Sequence, residues 1–111
     1  MPRLNPGDQL SNQYQIVSYV SATRWGEKYK ALRLSDQRLA EIQCLDRLAG
    51  INKSGVDLVF SVAERMVGVV HKHLVEVYGC AVDPRSRVPY VAQAWTEGQL
   101  LSDLMLKKFP V

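Results

Sequence analysis

A single stretch of this chain repeats its apolar residues at helical spacing, and strand-like segments lie on both sides of it. Val59, Val62, Ala63, Met66, Val67 and Val70 follow the i, i+3, i+4, i+7, i+8, i+11 series of a helix with one buried face. A stripe of this kind has to be covered, so the helix is expected to pack on whatever the flanking segments build. Ser54 and Asp57 are spaced as a capping pair for its start, with Asp57 placed to complement the N-terminal dipole. The stripe reads as core rather than as a cofactor site.

The flanking segments read as β. From Gln13 the run YQIVSYV is dense in Val, Ile and Tyr. After a break at Ser21–Arg24, GEKYKALRL alternates Tyr29 and Ala31 with Lys28 and Lys30. Ser35-Asp-Gln37 is a turn signal, and LAEIQCL a third strand. LAGINKSG is expected to be a loop leading into the helix. Beyond the helix, HLVEVYGCAV and VPYVAQAW read as a fourth and a fifth strand around the turn DPRSR, and LLSDLMLKK as a short second helix. The expected fold class is α+β: a curled five-stranded antiparallel sheet with one long helix and a short C-terminal helix. Residues 1–12, rich in Pro, Gly, Asn and Asp, form a lead-in segment, and 13–111 a single domain.

Composition removes several function classes. Hydrophobic residues make up 47% and charged residues 23%, a balance that supports a core and argues against disorder. The net charge of +3 is scattered, with Lys28, Lys30 and Arg33 as the nearest thing to a cluster and Lys107–Lys108 as a second. A nucleic-acid footprint would be denser, so no nucleic-acid partner is expected. Cys44 and Cys80 lie in apolar runs without a CxxC partner or metal-ligand spacing to His71 and His73. They read as buried free thiols, which suits a reducing, cytoplasmic location. No metal site is expected, no apolar run approaches the roughly 20 residues of a membrane span, and MPRLNPGDQL lacks a signal-peptide core.

Four local words, in order, resemble the N-terminal lobe of bacterial-type Ser/Thr protein kinases. PGDQLSNQYQIV is similar to the start of such domains, and Gly26-Glu-Lys-Tyr-Lys-Ala31 to the end of the glycine-rich loop and its following strand. HKHLVEVYG resembles the His-Pro-x-Ile-Val link from the long helix to the fourth strand. PYVAQAWTEGQLLSDLM resembles the fifth strand, hinge and helix that commonly read Val-Met-Glu-Tyr-x-x-Gly-x-x-Leu. The resemblance covers nearly the whole chain and about the first third of a kinase domain.

What the resemblance implies for chemistry turns on the departures. Kinases cradle the ATP phosphates under G-x-G-x-x-G, where glycine permits close backbone approach. Counting back from Gly26, the first two glycine positions hold Ser21 and Thr23. The lysine of V-A-I-K falls on Gln43, or on Ile42 in a one-residue shift, and neither is a cation. Its partner glutamate falls on Val62 or Ala63, and Glu64 lies at least about 100° around the helix, where it reads as solvent-facing. The adenine roof falls on Lys28 and Glu41, which are either an ion pair across the sheet or two surface residues. H-R-D and D-F-G do not occur, and the expectation is a lobe without a C-lobe and without a base or Mg²⁺ ligands.

The resemblance therefore implies a non-catalytic, pseudokinase-like module that does not bind ATP, does not transfer phosphate and works by binding another protein or by self-association. Its expected interface is the edge that would meet a C-lobe, with Val91, Ala92, Ala94, Trp95, Leu100 and Leu104, or the long helix. Trp25 and Trp95 are expected to be packed, or, if exposed together, to anchor the partner. A nucleotide-binding regulatory lobe, an N-terminal part of a longer kinase-like protein and an unrelated small α+β adaptor are the alternatives.

Overall fold

The computed structural model describes residues 4–67, 69 and 76–95. Its elements are β1 (Gln9–Leu10), β2 (Tyr14–Ala22), β3 (Glu27–Arg33), β4 (Arg38–Cys44), α1 (Asp46–Ile51), α2 (Lys53–Met66), β5 (Val77–Val82) and β6 (Pro89–Ala94). The strands form one curled antiparallel sheet in the order β1-β2-β3-β4-β6-β5. The α+β class stands, but the sheet has six strands rather than five. The additional strand is β1, inside the expected lead-in, where Gln9 and Leu10 pair with Gln15 and Tyr14. Leu4 and Leu10 are both buried in the core, so burial outweighs the turn-rich composition of that segment.

Period-two alternation sorts the strand side chains into two cores. Tyr14, Ile16, Tyr29, Ala31, Ala40, Ile42, Tyr90 and Ala92 share one face and pack with Leu10 and Val88. The opposite face of β4 and β6 meets the helices, where Trp25, Leu45, Leu48, Val56, Val59, Ala63, Val77 and Val91 pack together. Two bulges interrupt β2, between Ile16 and Ser18 and between Tyr19 and Ser21, and they leave Val17, Tyr19 and Val20 exposed.

The helical region differs from expectation in two ways. The expected loop, residues 48–55, is largely helical: 48–51 belong to α1 and 53–55 to α2. Asn52, extended at φ −154° and ψ 96°, separates α1 from α2 and caps α2 by accepting from Gly55 N at 3.1 Å. Ser54 and Asp57 are therefore inside the helix and not its cap. The helix ends at Met66, so Val67 lies just beyond it and is exposed, while Val56, Val59 and Ala63 carry the buried stripe.

Tight turns are closed by carboxylates. Asp36, between β3 and β4, accepts from Arg33 Nε and Arg38 N. Asp83, buried at the β5–β6 turn, accepts from Ser11 N, Ser86 N and Ser86 Oγ, each at 2.8 Å. The hydroxyl of Tyr90 donates to Ser11 Oγ at 2.8 Å, so the β1–β2 turn is tied to the far hairpin. Among the described residues, no helix is long and apolar enough to cross a membrane. His71, His73, Val70, Leu100, Leu104, Asp103, Lys107, Lys108 and the expected C-terminal helix lie outside the described residues.

Candidate functional site

Strands β3, β4 and β6 run side by side, and their register sets two rows of side chains on the helix-facing side of the sheet. Lys28, Gln43 and Val91 form one row, and Lys30, Glu41 and Gln93 the next. Most of these side chains are polar, yet Lys28, Glu41, Gln43 and Gln93 are all buried. A buried polar group costs stability unless it is partnered, so the partners define the site.

Lys28 reaches diagonally across the sheet, with Nζ 3.8 Å from Glu41 Oε1. The other carboxylate oxygen, Oε2, accepts from Gln93 Nε2 at 2.5 Å. The two readings left open for Lys28 and Glu41 are thus resolved as an ion pair, with side chains 9% and 0% exposed. Lys30, directly opposite Glu41, turns its ammonium over the Trp95 ring at 5.2 Å from the centroid.

Gln43 organises the second half. Its Nε2 donates to Cys44 O at 2.7 Å and shares its remaining proton between Thr23 Oγ1 at 3.2 Å and Gly26 O at 3.3 Å. Ile42 points the other way, into the core with Tyr29 and Ala92, so the residue on the helix-facing side at the expected lysine position is Gln43. Thr23 and Gly26 also bond each other: Thr23 N to Gly26 O at 2.8 Å, Gly26 N to Thr23 O at 3.2 Å, and Thr23 Oγ1 to Gly26 O at 3.0 Å. Gly26 is required here for a local reason. Its φ is +149°, and a Cβ would stand 2.5 Å from Asp46 Oδ1 and 2.7 Å from Cys44 O. Ser21, at the first expected glycine position, is half-buried opposite Lys28.

Between Thr23 and Gly26, Trp25 turns inward and is 1% exposed. Its carbonyl accepts from Arg47 N at 3.0 Å and Leu48 N at 3.2 Å. These are orphan amides at the start of α1, whose N-cap, Leu45, offers no side-chain acceptor. Arg47 adds Nη1 to Thr23 O at 3.1 Å and Nη2 to Glu27 Oε2 at 3.5 Å. On α2, Glu64 is exposed and Ala63 fully buried against the sheet. The helix therefore meets the site through an apolar residue.

The six-stranded curled sheet with its two helices matches a known architecture. The kinase domain of PknI from Mycobacterium tuberculosis superposes with a TM-score of 0.71 at 17% identity, covering 97% of this chain and 42% of that domain. A double mutant of the same domain gives 0.70 at 18% identity, with 97% and 43% covered. The fold is that of a protein-kinase N-lobe. The chain spans well under half the length of those kinase domains. No model of a known protein family matches the sequence, and no curated protein does either.

Placed on an N-lobe, the expected site residues divide. Lys28, Glu41, Gln43, Thr23 and Gly26 converge in one buried region, and Glu64 stands apart from it. Trp25, Val91 and Ala92 are buried, so they present no surface to a partner: α1 and α2 cover Trp25 and Val91, and Ala92 lies in the core on the other face of the sheet. Ala94 and Trp95 are half-buried. Two residues escaped sequence reasoning. Gln93 is a lone amide in the otherwise apolar strand VPYVAQAW, a signal that could have marked it. Arg47 gave none, because its role depends on α1.

Other chemistry finds little footing. Burial, reinforced by the Glu64 charge, pushes the Cys80 thiol up from its ordinary range, which makes it a poor nucleophile. Among the described residues, no group of three or more His, Cys, Asp or Glu side chains could hold a metal ion. Three open clefts lie elsewhere: beside Asp8 and Arg85, beside Arg33 and Tyr78, and beside Lys53 and Val82. None of the three is lined by Lys28, Glu41 or Gln43.

Proposed function

We propose that this N-lobe is a non-catalytic, pseudokinase-like module that binds another protein or a second copy of itself and transfers no phosphate. The observation that carries the reading is the buried constellation of Lys28, Glu41, Gln93 and Gln43. In a kinase, the matching side of the sheet presents a lysine to the α and β phosphates and small apolar residues to adenine. Here Glu41 brings a carboxylate and Gln93 an amide, while the Lys28 charge is committed to Glu41 at 3.8 Å. The ion pair that joins sheet to helix in kinases has a counterpart inside the sheet instead, and α2 is held by Ala63, Val59 and Trp25. A lobe so arranged keeps the kinase scaffold as a surface and sets a carboxamide, Gln43, at the position where a kinase offers ATP its lysine.

The test is a thermal-shift titration with ATP, with and without Mg²⁺, at millimolar nucleotide. A ligand at 100-fold excess over its dissociation constant stabilises by about 2.7 kcal/mol, so micromolar binding would register. The expected result is no shift, and a clear upward shift would favour a nucleotide-binding regulatory lobe instead. Light scattering across a concentration series, paired with pull-downs, tests the interaction role; a stable monomer with no partner would count against it. Free thiols at Cys44 and Cys80 support a cytoplasmic location as part of the same proposal. The 42–43% coverage of the PknI domain favours one further reading, an N-terminal part of a longer kinase-like protein, which the downstream reading frame decides.

A further inference from the structure

We infer that Gln43 is a latch that turns the segment Thr23–Gly26 from a movable cover into a fixed wall of the sheet. In kinases the glycine-rich loop closes and opens over nucleotide, and that freedom requires few contacts beneath it. Here the equivalent segment is held from two sides. From the sheet, the Gln43 carboxamide donates to Thr23 Oγ1 and Gly26 O. From α1, the Arg47 and Leu48 amides hold Trp25 O, and the Arg47 guanidinium holds Thr23 O. The Trp25 indole is packed among Leu45, Leu48, Val59 and Val91. The α1 contacts are backbone and surface bonds that many sequences could make, whereas Gln43 supplies the buried donor.

The geometry of Gln43 favours this role over ordinary filling. Its carboxamide nitrogen serves three acceptors, Cys44 O, Thr23 Oγ1 and Gly26 O, two of them in the segment it holds. A side chain selected only to fill space would be apolar at that position. The inference deepens the non-catalytic reading by specifying how the site is kept closed, and it rests on that reading for its functional meaning.

Residue-resolved amide hydrogen exchange on the whole chain, without nucleotide, tests the latch. Gln43→Met keeps the volume and removes the donor; Gln43→Glu keeps the shape and puts a carboxylate oxygen against the Gly26 and Cys44 carbonyls. Both are expected to speed exchange at Thr23 and Gly26 about tenfold or more while Ala63 and its helical neighbours stay protected. Unchanged exchange at Thr23 and Gly26 in Gln43→Met would overturn the latch. So would an increase shared equally by α2, which marks general destabilisation. Because no nucleotide is present, the outcome is independent of the ATP titration. Binding of ATP by the unaltered chain would remove the non-nucleotide reading and leave the latch standing, and unchanged exchange would do the reverse.

Discussion

Lys28 and Glu41 sit on neighbouring strands, offset by one register row, and meet at 3.8 Å in the interior of the lobe. Charges taken out of water are costly, and their mutual attraction offsets that cost only while both are present. Glu41→Leu is therefore expected to lose about 3–5 kcal/mol, because Lys28 is left buried without its carboxylate. The paired replacement Lys28→Met with Glu41→Leu is expected to recover most of that loss. Urea unfolding of the four proteins of the cycle measures the coupling, and additive losses would show the two residues to be energetically independent.

Trp25 and Trp95 provide a matched contrast. Trp25 is fully buried against the helices, so Trp25→Ala is expected to cost about 3–5 kcal/mol. Trp95 is half-buried and engages Lys30 by its ring face; losing that contact is worth about 0.5–1 kcal/mol. Denaturant midpoints of the two variants give the ratio, and equal losses would contradict the buried plug.

Glycine substitutions should separate close approach from empty space. Gly26→Ala forces a Cβ to 2.7 Å from a carbonyl oxygen at a φ of +149°, and is expected to destabilise by about 1–3 kcal/mol. Gly79→Ala meets nothing within 4 Å and has no positive φ, so it should stay within about 0.5 kcal/mol of the parent. Thermal midpoints decide the order.

Asp83 should make the lobe acid-sensitive. Burial pushes its pKa up, but the hydrogen bonds from Ser86, Ser11 and Arg85 together outweigh burial and hold it below the ordinary carboxylate value. A carboxyl depressed by folding contributes stability that is fully present above its unfolded pKa, near 4, and is lost as pH falls through its folded value. Stability is expected to decline below about pH 4. Asp83→Asn should flatten part of that decline and cost about 1.5–3 kcal/mol at neutral pH, since it removes charge-assisted bonds to the β1–β2 turn. Urea unfolding between acid and neutral pH reads both, and an unchanged acid slope in Asp83→Asn would assign the sensitivity to other carboxylates.

Much of this lobe is legible along the chain because the signals are local. Runs rich in β-formers bounded by turns marked β2 to β6, with alternation visible in β3, and the 3.6-residue stripe marked α2. The turn chemistry of Asp36 and Asp83 marked the hairpins. Short signals failed where long-range burial took over. β1 has two residues and no period to detect, and Leu10 earns its place through contacts with strands far along the chain. α1 has six residues and an N-terminus served by the Trp25 carbonyl, which no neighbouring residue announces.

The candidate site shows the same division. That position 43 carries a carboxamide rather than a cation, and that positions 21 and 23 carry hydroxyl side chains, are properties of the chain that no folding can change, since they concern which chemical groups exist. Where those groups go is another matter. Only the sheet register joined Lys28 to Glu41, set Gln93 beside them and aimed the Gln43 carboxamide at Thr23 and Gly26. Only the helix packing buried Trp25 and Val91, and only the closure of the opposite core buried Ala92. Hydrogen bonds and burial depend on distances between residues tens of positions apart, and those distances arise when the two cores close.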